Sequence, residues 1–131
     1  MENPRVKLKV LKKKNPMNPT MPEMFYAQAV KTGNVDLNWL AKQVASQSTV
    51  SKGDCYAVLI ACVDCMIEEL SRGSVVNLGT LGSFQVGVRS YPSDSSSKVS
   101  ALNVKSAHLN FRPSVEIKDA LRNLKYTVND S

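Results

Sequence analysis

The sequence predicts an α+β fold in the order strands, two helices, three strands and a last helix, with the long second helix covered by a second copy of the chain. Three observations predict it. Segments near 6–10 and 84–111 alternate apolar and polar residues with the period of a strand. Residues 52–71 form a helix whose apolar surface is too wide for one short partner helix to cover. A serine-rich polar stretch, 91–100, interrupts the later strands and reads as a mobile arm or loop.

At the start of the chain, Val6, Leu8 and Val10 alternate with Lys7 and Lys9, as in a half-buried strand. Pro16, Pro19 and Pro22 mark an irregular connection, and Met24 to Val30 is apolar enough to pair back as a second strand. The net charge of +6 points to an anionic partner. It is unevenly placed: residues 1–14 hold Arg5, Lys7, Lys9, Lys12, Lys13 and Lys14 against Glu2 alone, while the remaining 117 residues carry 11 basic and 10 acidic groups. The lysine run reads either as a solvated tail or edge strand, where lysine discourages aggregation, or as a contact to a polyanion.

Gly33-Asn34 is a turn signal, and Asp36 caps a helix to about Gln47 with Leu37, Leu40, Ala41, Val44 and Ala45 on one stripe. Ser48 and Thr49 break it. Ser51 caps the second helix, and Ser51-x-x-Asp54 resembles a capping box. On that helix Tyr56, Ile60, Val63, Ile67 and Leu70 make one stripe, with Cys55, Leu59, Cys62 and Met66 beside it. For 131 residues with two main helices, a second subunit is the simplest cover, so Tyr56, Leu59, Ile60, Val63, Met66 and Ile67, together with Phe84 and Phe111, are expected at a homodimer interface. Arg72-Gly73 ends the helix.

Val75, Val76 and Leu78 form a short strand, and 79–82 turn the chain. Phe84, Val86 and Val88 alternate with Gln85, Gly87 and Arg89; beyond the polar stretch, Ala107, Leu109 and Phe111 face in while Ser106, His108, Asn110 and Arg112 face out. Pro113-Ser114 begins a final helix of about ten residues.

Little in the chain suggests catalysis. Cys62-Val63-Asp64-Cys65 is a CxxC, but it lies in mid-helix on apolar stripes with no second pair, so its cysteines read as core residues. An odd count of three cysteines argues for a reducing compartment. His108 is the lone histidine, with no partner nearby in sequence for metal or acid–base work; on the outward strand face it would either contact phosphate or simply be solvated. No nucleophile constellation and no phosphate-cradling glycine loop is readable. No enzyme activity, no cofactor, no metal and no small-molecule substrate is therefore expected. No stretch approaches the ~18 apolar residues of a membrane span, and the charged, proline-rich start does not look like a secretory signal; the default expectation is a cytoplasmic protein.

What remains is the polar sheet face. Between Arg89 and Arg112 lie four fixed cations, Arg89, Lys98, Lys105 and Arg112, against one acid, Asp94. Together with His108 these are candidate DNA-contacting residues, and Lys12, Lys13 and Lys14 would add contacts if they lie on the same side. Arginine and lysine neutralise phosphates, and Asn110 and Gln85 suit the simple acceptor pattern of the minor groove. A solvated sheet face is the plain alternative.

The segment LSRGSVVNLGTLGSFQV, the arm, and LNFRPSVEIKDALRNL together resemble the HU/IHF superfamily. The strongest matches are Gly79-Thr80-Leu81-Gly82-Ser83-Phe84, similar to that family's G-x-G-[ST]-F segment, and Phe111-x-Pro113-Ser114 leading into Lys118-Asp119-Ala120-Leu121. The resemblance runs from about Val35 to Lys125, roughly 90 residues. The N-terminal extension, with Asn15-Pro16 and Phe25-Tyr26-Ala27, resembles the variant HU-like (HU-HIG) proteins of Bacteroidetes. The resemblance implies an intertwined homodimer acting in the nucleoid, with double-stranded DNA held between two arms and bound largely without regard to sequence. HU-type arms end in a proline inside an Arg-Asn-Pro segment. Here the region reads Tyr91-Pro92-Ser93-Asp94, without flanking arginines, which argues against strong kinking. The expected organisation is a basic strand extension over 1–34, an HU/IHF-like domain over 35–125 and a tail over 126–131. The near-neutral body leaves a second reading open, a dimeric scaffold of the same fold that binds DNA weakly or not at all.

Overall fold

The computed structural model describes residues 4–128, and these divide into two compact units: 36–119, and the residues up to 35 together with those from 120 onward. The described residues are mixed α+β, with three helices and two three-stranded sheets.

The first unit is a sheet in the order β2-β1-β6. Strand β1 (Val6–Lys13) pairs antiparallel with β2 (Met24–Ala29), with Leu8 opposite Ala29 and Lys13 opposite Met24. The residues expected as a C-terminal tail also enter this sheet. Tyr126–Val128 form β6, parallel to the start of β1, because the end of the last helix returns the chain to Val6, whose N–H donates to the Lys125 carbonyl at 2.9 Å. Residues 129–131 lie outside the described residues.

In the second unit, helix α1 (Leu37–Ser46) begins at Asp36, whose carboxylate accepts from the Trp39 N–H at 2.9 Å. Helix α2 (Lys52–Ser71) begins at Ser51, whose hydroxyl accepts from the Asp54 N–H at 3.2 Å. It stops at Gly73, which takes a φ of +86° and donates to the Leu70 carbonyl; Arg72 pairs with Glu68 and Glu69 across the last turn. The two helices pack on each other, and the buried side chains at their contact are Ala41 and Cys55.

The cysteine expectation is corrected here. Cys55 is buried, but Cys62, on the same stripe, and Cys65 are exposed in the single chain, since α1 is half the length of α2 and leaves part of its apolar circumference uncovered.

Strands β3 (Val76–Asn77), β4 (Gly82–Ser90) and β5 (Val104–Pro113) form the second sheet, in that order. The last helix, α3 (Val115–Arg122), is tied to the β3–β4 turn through Ser114. The Ser114 hydroxyl donates to the Thr80 carbonyl and accepts from the Ile117 N–H, and the Ser114 N–H donates to Leu81. Gly82 is buried in this junction with a φ of +142°, where a Cβ would run into the Arg112 carbonyl and lie 3.0 Å from the Phe111 ring. That is the physical basis of the G-x-x-G-S-F and F-x-P-S segments lying together. Gly82→Ala is expected to lower unfolding stability by at least about 2 kcal/mol, from a strained φ plus the clash. A urea titration at fixed protein concentration measures it; an unchanged midpoint would contradict this role for the junction.

Candidate nucleic-acid interface

The long β4–β5 ribbon sorts its side chains by register. Phe84 stands opposite Phe111, Val86 opposite Leu109 and Val88 opposite Ala107, which gives one apolar face. The Phe84 and Phe111 rings meet at 4.9 Å between centroids, tilted by 40°. Ser83 stands opposite Arg112, Gln85 opposite Asn110, Gly87 opposite His108 and Arg89 opposite Ser106, which gives the polar face. Because side chains alternate along a strand, Arg89, His108 and Arg112 necessarily share this face. Neither strand contains an acid. Among the described residues, Arg89 and Arg112 make no ion pair. Gly87 leaves room on the face: a Cβ there would lie 2.6 Å from His108 Nε2 and 2.8 Å from Asn110 Nδ2, so both side chains lean across the glycine.

The remaining arm cations are placed differently. Lys105 sits at the irregularity where the register slips between Arg89 and Ser90, with its ammonium 5.7 Å from the centroid of the Tyr91 ring. Lys98 is paired with Asp94 at 3.2 Å. The segment expected to be a mobile loop is built from two 3₁₀ turns, Ser96–Lys98 and Ala101–Asn103. Ser95 and Ser100 cap these turns, Asn103 returns a bond to the Ser100 N–H at 2.8 Å, and the Tyr91 N–H donates to the Asn103 carbonyl at 2.7 Å. Short polar side chains here take over backbone partners that a regular ladder would otherwise supply.

The N-terminal candidates separate. Lys12 stands opposite Phe25 and lies over its ring at 5.8 Å; Lys13, on the other face of β1, lies 6.0 Å from the Tyr26 ring. Lys12 and Lys14 both reach the Glu23 carboxylate, at 3.0 and 3.8 Å. Glu23, the one acid between Arg5 and Val35, was the signal in the sequence that these two lysines are partly neutralised.

The expected interface residues also separate. On α2, Tyr56, Ile60, Val63 and Ile67 are 42, 37, 36 and 57% exposed in the single chain, whereas Leu59 and Met66, on the Cys55 stripe, are half-buried within it. Phe84 is half-buried and Phe111 exposed. Among the described residues no cluster of His, Cys, Asp and Glu could hold a metal ion, and no helix is long and apolar enough to cross a membrane.

Two capped helices, a long two-faced ribbon, and a last helix bonded to the ribbon's base define an HU-type DNA-binding fold. The chain belongs to the HU-HIG family, described as an HU domain fused to a wHTH, Ig or glycine-rich motif, whose model matches residues 5–127. Similar solved structures include a candidate bacterial DNA-binding protein from Bacteroides vulgatus, at 13% identity and a TM-score of 0.65, over 96% of this chain and 49% of that one. Another is the complex of Anabaena HU with DNA, at 22% identity and a TM-score of 0.54, over 68% of this chain and 99% of that one. This chain thus spans about half the length of the Bacteroides vulgatus protein. At these identities the likeness establishes the fold alone. No curated protein matches the sequence.

If the ribbon meets phosphate, the Asp94–Lys98 pair holds one cation back. Asp94→Asn is expected to strengthen low-salt duplex binding a few-fold and to steepen the dependence of log K on log salt by about 0.9 per chain. Fluorescence anisotropy across a salt series measures both; an unchanged slope would show that Lys98 contacts no phosphate.

Proposed function

We propose that the protein is an architectural DNA-binding homodimer that engages double-stranded DNA largely without regard to sequence. The observation that carries this reading is the acid-free polar face of the β4–β5 ribbon, where Arg89, His108, Asn110 and Arg112 stand in register beside Gln85. Arg89, Lys105, His108 and Arg112 contact the phosphate backbone. Gln85 and Asn110 meet acceptors in the minor groove, while Lys98 is held back from the phosphates by its pair with Asp94. The lysine-rich start, in which Lys12, Lys13 and Lys14 are the candidates, adds sequence-independent contacts. The chain acts in the nucleoid as a binding protein, not as an enzyme, a reading supported by its family.

Dimerisation is supported by the large apolar side chains left exposed on the 36–119 unit. Tyr56, Ile60, Val63 and Ile67 on α2, continued by Phe111 and Leu109 on the ribbon, are the large apolar groups a second copy would cover, with Leu59, Met66 and Phe84 behind them. Two arms on one helical base would then place two cationic ribbons around one duplex.

One observation favours the scaffold alternative: residues 36–119 contain eight basic and eight acidic side chains, a net charge of zero. Titration of random-sequence duplex at low salt separates the readings. With about six phosphates neutralised per dimer, log K should fall with log salt at a slope near −5. Arg89→Ala/Arg112→Ala should weaken binding on the order of tenfold and flatten that slope. Binding with no salt dependence between roughly 50 and 200 mM would exclude this mechanism, and no binding at all would favour the scaffold.

A further inference from the structure

The whole net charge of the chain lies outside residues 36–119. The other unit, residues 1–35 and 120–131, holds nine basic and three acidic side chains by sequence, which is +6, the value for the complete chain. Its sheet divides that charge by face. Val6, Leu8 and Val10 share one face of β1 with Ala27, Ala29 and Phe25, while Lys7, Lys9 and Lys13 share the other. The residues paired opposite these three lysines are Thr127, Gln28 and Met24, none of them acidic. Tyr26, half exposed, stands between them opposite Leu11.

We infer that this lysine face is a second polyanion-binding surface, separate from the ribbon, and that it takes the phosphodiester backbone of double-stranded DNA. Protection of a sheet edge does not account for the lysines, because β1 is the middle strand of its sheet. Among the described residues, salt bridging within the sheet does not account for them either. The one acid of the hairpin, Glu23, is engaged with Lys12 and Lys14 and leaves the Lys7, Lys9 and Lys13 face cationic. Along a strand Lys7 and Lys9 stand about 7 Å apart and the three lysines span about 20 Å, so at about 0.1 M salt the potentials of neighbours add. Like charges gathered on one face repel one another, and an external row of phosphates relieves that repulsion. The identity of the polyanion rests on the DNA-binding reading above; the existence of the face does not. The face also supplies the positive charge that residues 36–119 lack.

The test uses the full chain and random-sequence duplex in a salt series. Lys7→Gln/Lys9→Gln/Lys13→Gln should lower affinity on the order of tenfold or more and reduce the salt slope by about 0.9 for each lysine in contact. Lys12→Gln/Lys14→Gln should change both less. Arginine at positions 7, 9 and 13 should preserve binding, and the glutamine triple should add to Arg89→Gln/Arg112→Gln. If the glutamine triple binds as the parent does while the arginine double loses binding, the second surface is absent and the ribbon reading stands. If neither set changes binding, both readings fall. Equal loss in the arginine-for-lysine triple would show that charge is not the cause and would overturn the proposal. So would loss of binding to phosphatidylserine vesicles with duplex binding intact, which would assign the face to a membrane.

Discussion

One constraint governs the second unit: α2 is apolar on more of its circumference than its own chain covers. Helix α1, half its length, buries Cys55 and leaves the Tyr56, Ile60, Val63 and Ile67 stripe in water. At typical burial energies, covering the remaining area of those four side chains stabilises an assembly by about 3 kcal/mol per chain, before the ribbon's Phe111 and Leu109 are counted. In the proposed dimer this burial positions the arms. It makes the helical base common to both chains, so that each ribbon rises from a shared platform.

The ribbon follows from a simpler rule. A two-residue period sends Phe84, Val86, Val88, Ala107, Leu109 and Phe111 to one side and Arg89, His108, Asn110 and Arg112 to the other. A slip of one residue would exchange the two faces, so the register must be held. It is held at the base, where Gly82 admits the Arg112 carbonyl and Ser114 bonds to Thr80 and Leu81. Junction and face thus act together: backbone geometry at 80–82 and 111–114 decides which side chains share the polar face.

The element order was legible because each element carries its own period or cap. Asp36 and Ser51 mark helix starts, Gly73 a helix end, and the alternation over 84–111 a ribbon with one polar face. The polar-face residues were legible for the same reason, since parity is a local property. Three features were not. Strand β6 depends on a partner more than a hundred residues away in sequence, and three residues carry too little pattern to declare it. The 3₁₀ turns of the arm arise from serine side chains bonding to backbone, which reads in the sequence only as polarity. The neutralisation of Lys12 and Lys14 by Glu23 depends on the β1–β2 hairpin register, and that register also separates Lys13 from Lys12. Charge runs read as single objects in a sequence; a strand splits them between two faces.

The proposed binding mode depends most directly on two chains sharing the open stripe of α2. Sedimentation equilibrium of the 131-residue chain at micromolar concentration, in low and in moderate salt, addresses this without any ligand. The prediction is a single species of twice the 14.4 kDa chain mass in both conditions, because apolar burial is not screened by salt. A folded, stable species at the mass of one chain would contradict it, since no second ribbon would then be held in place and the apolar stripe would need another explanation.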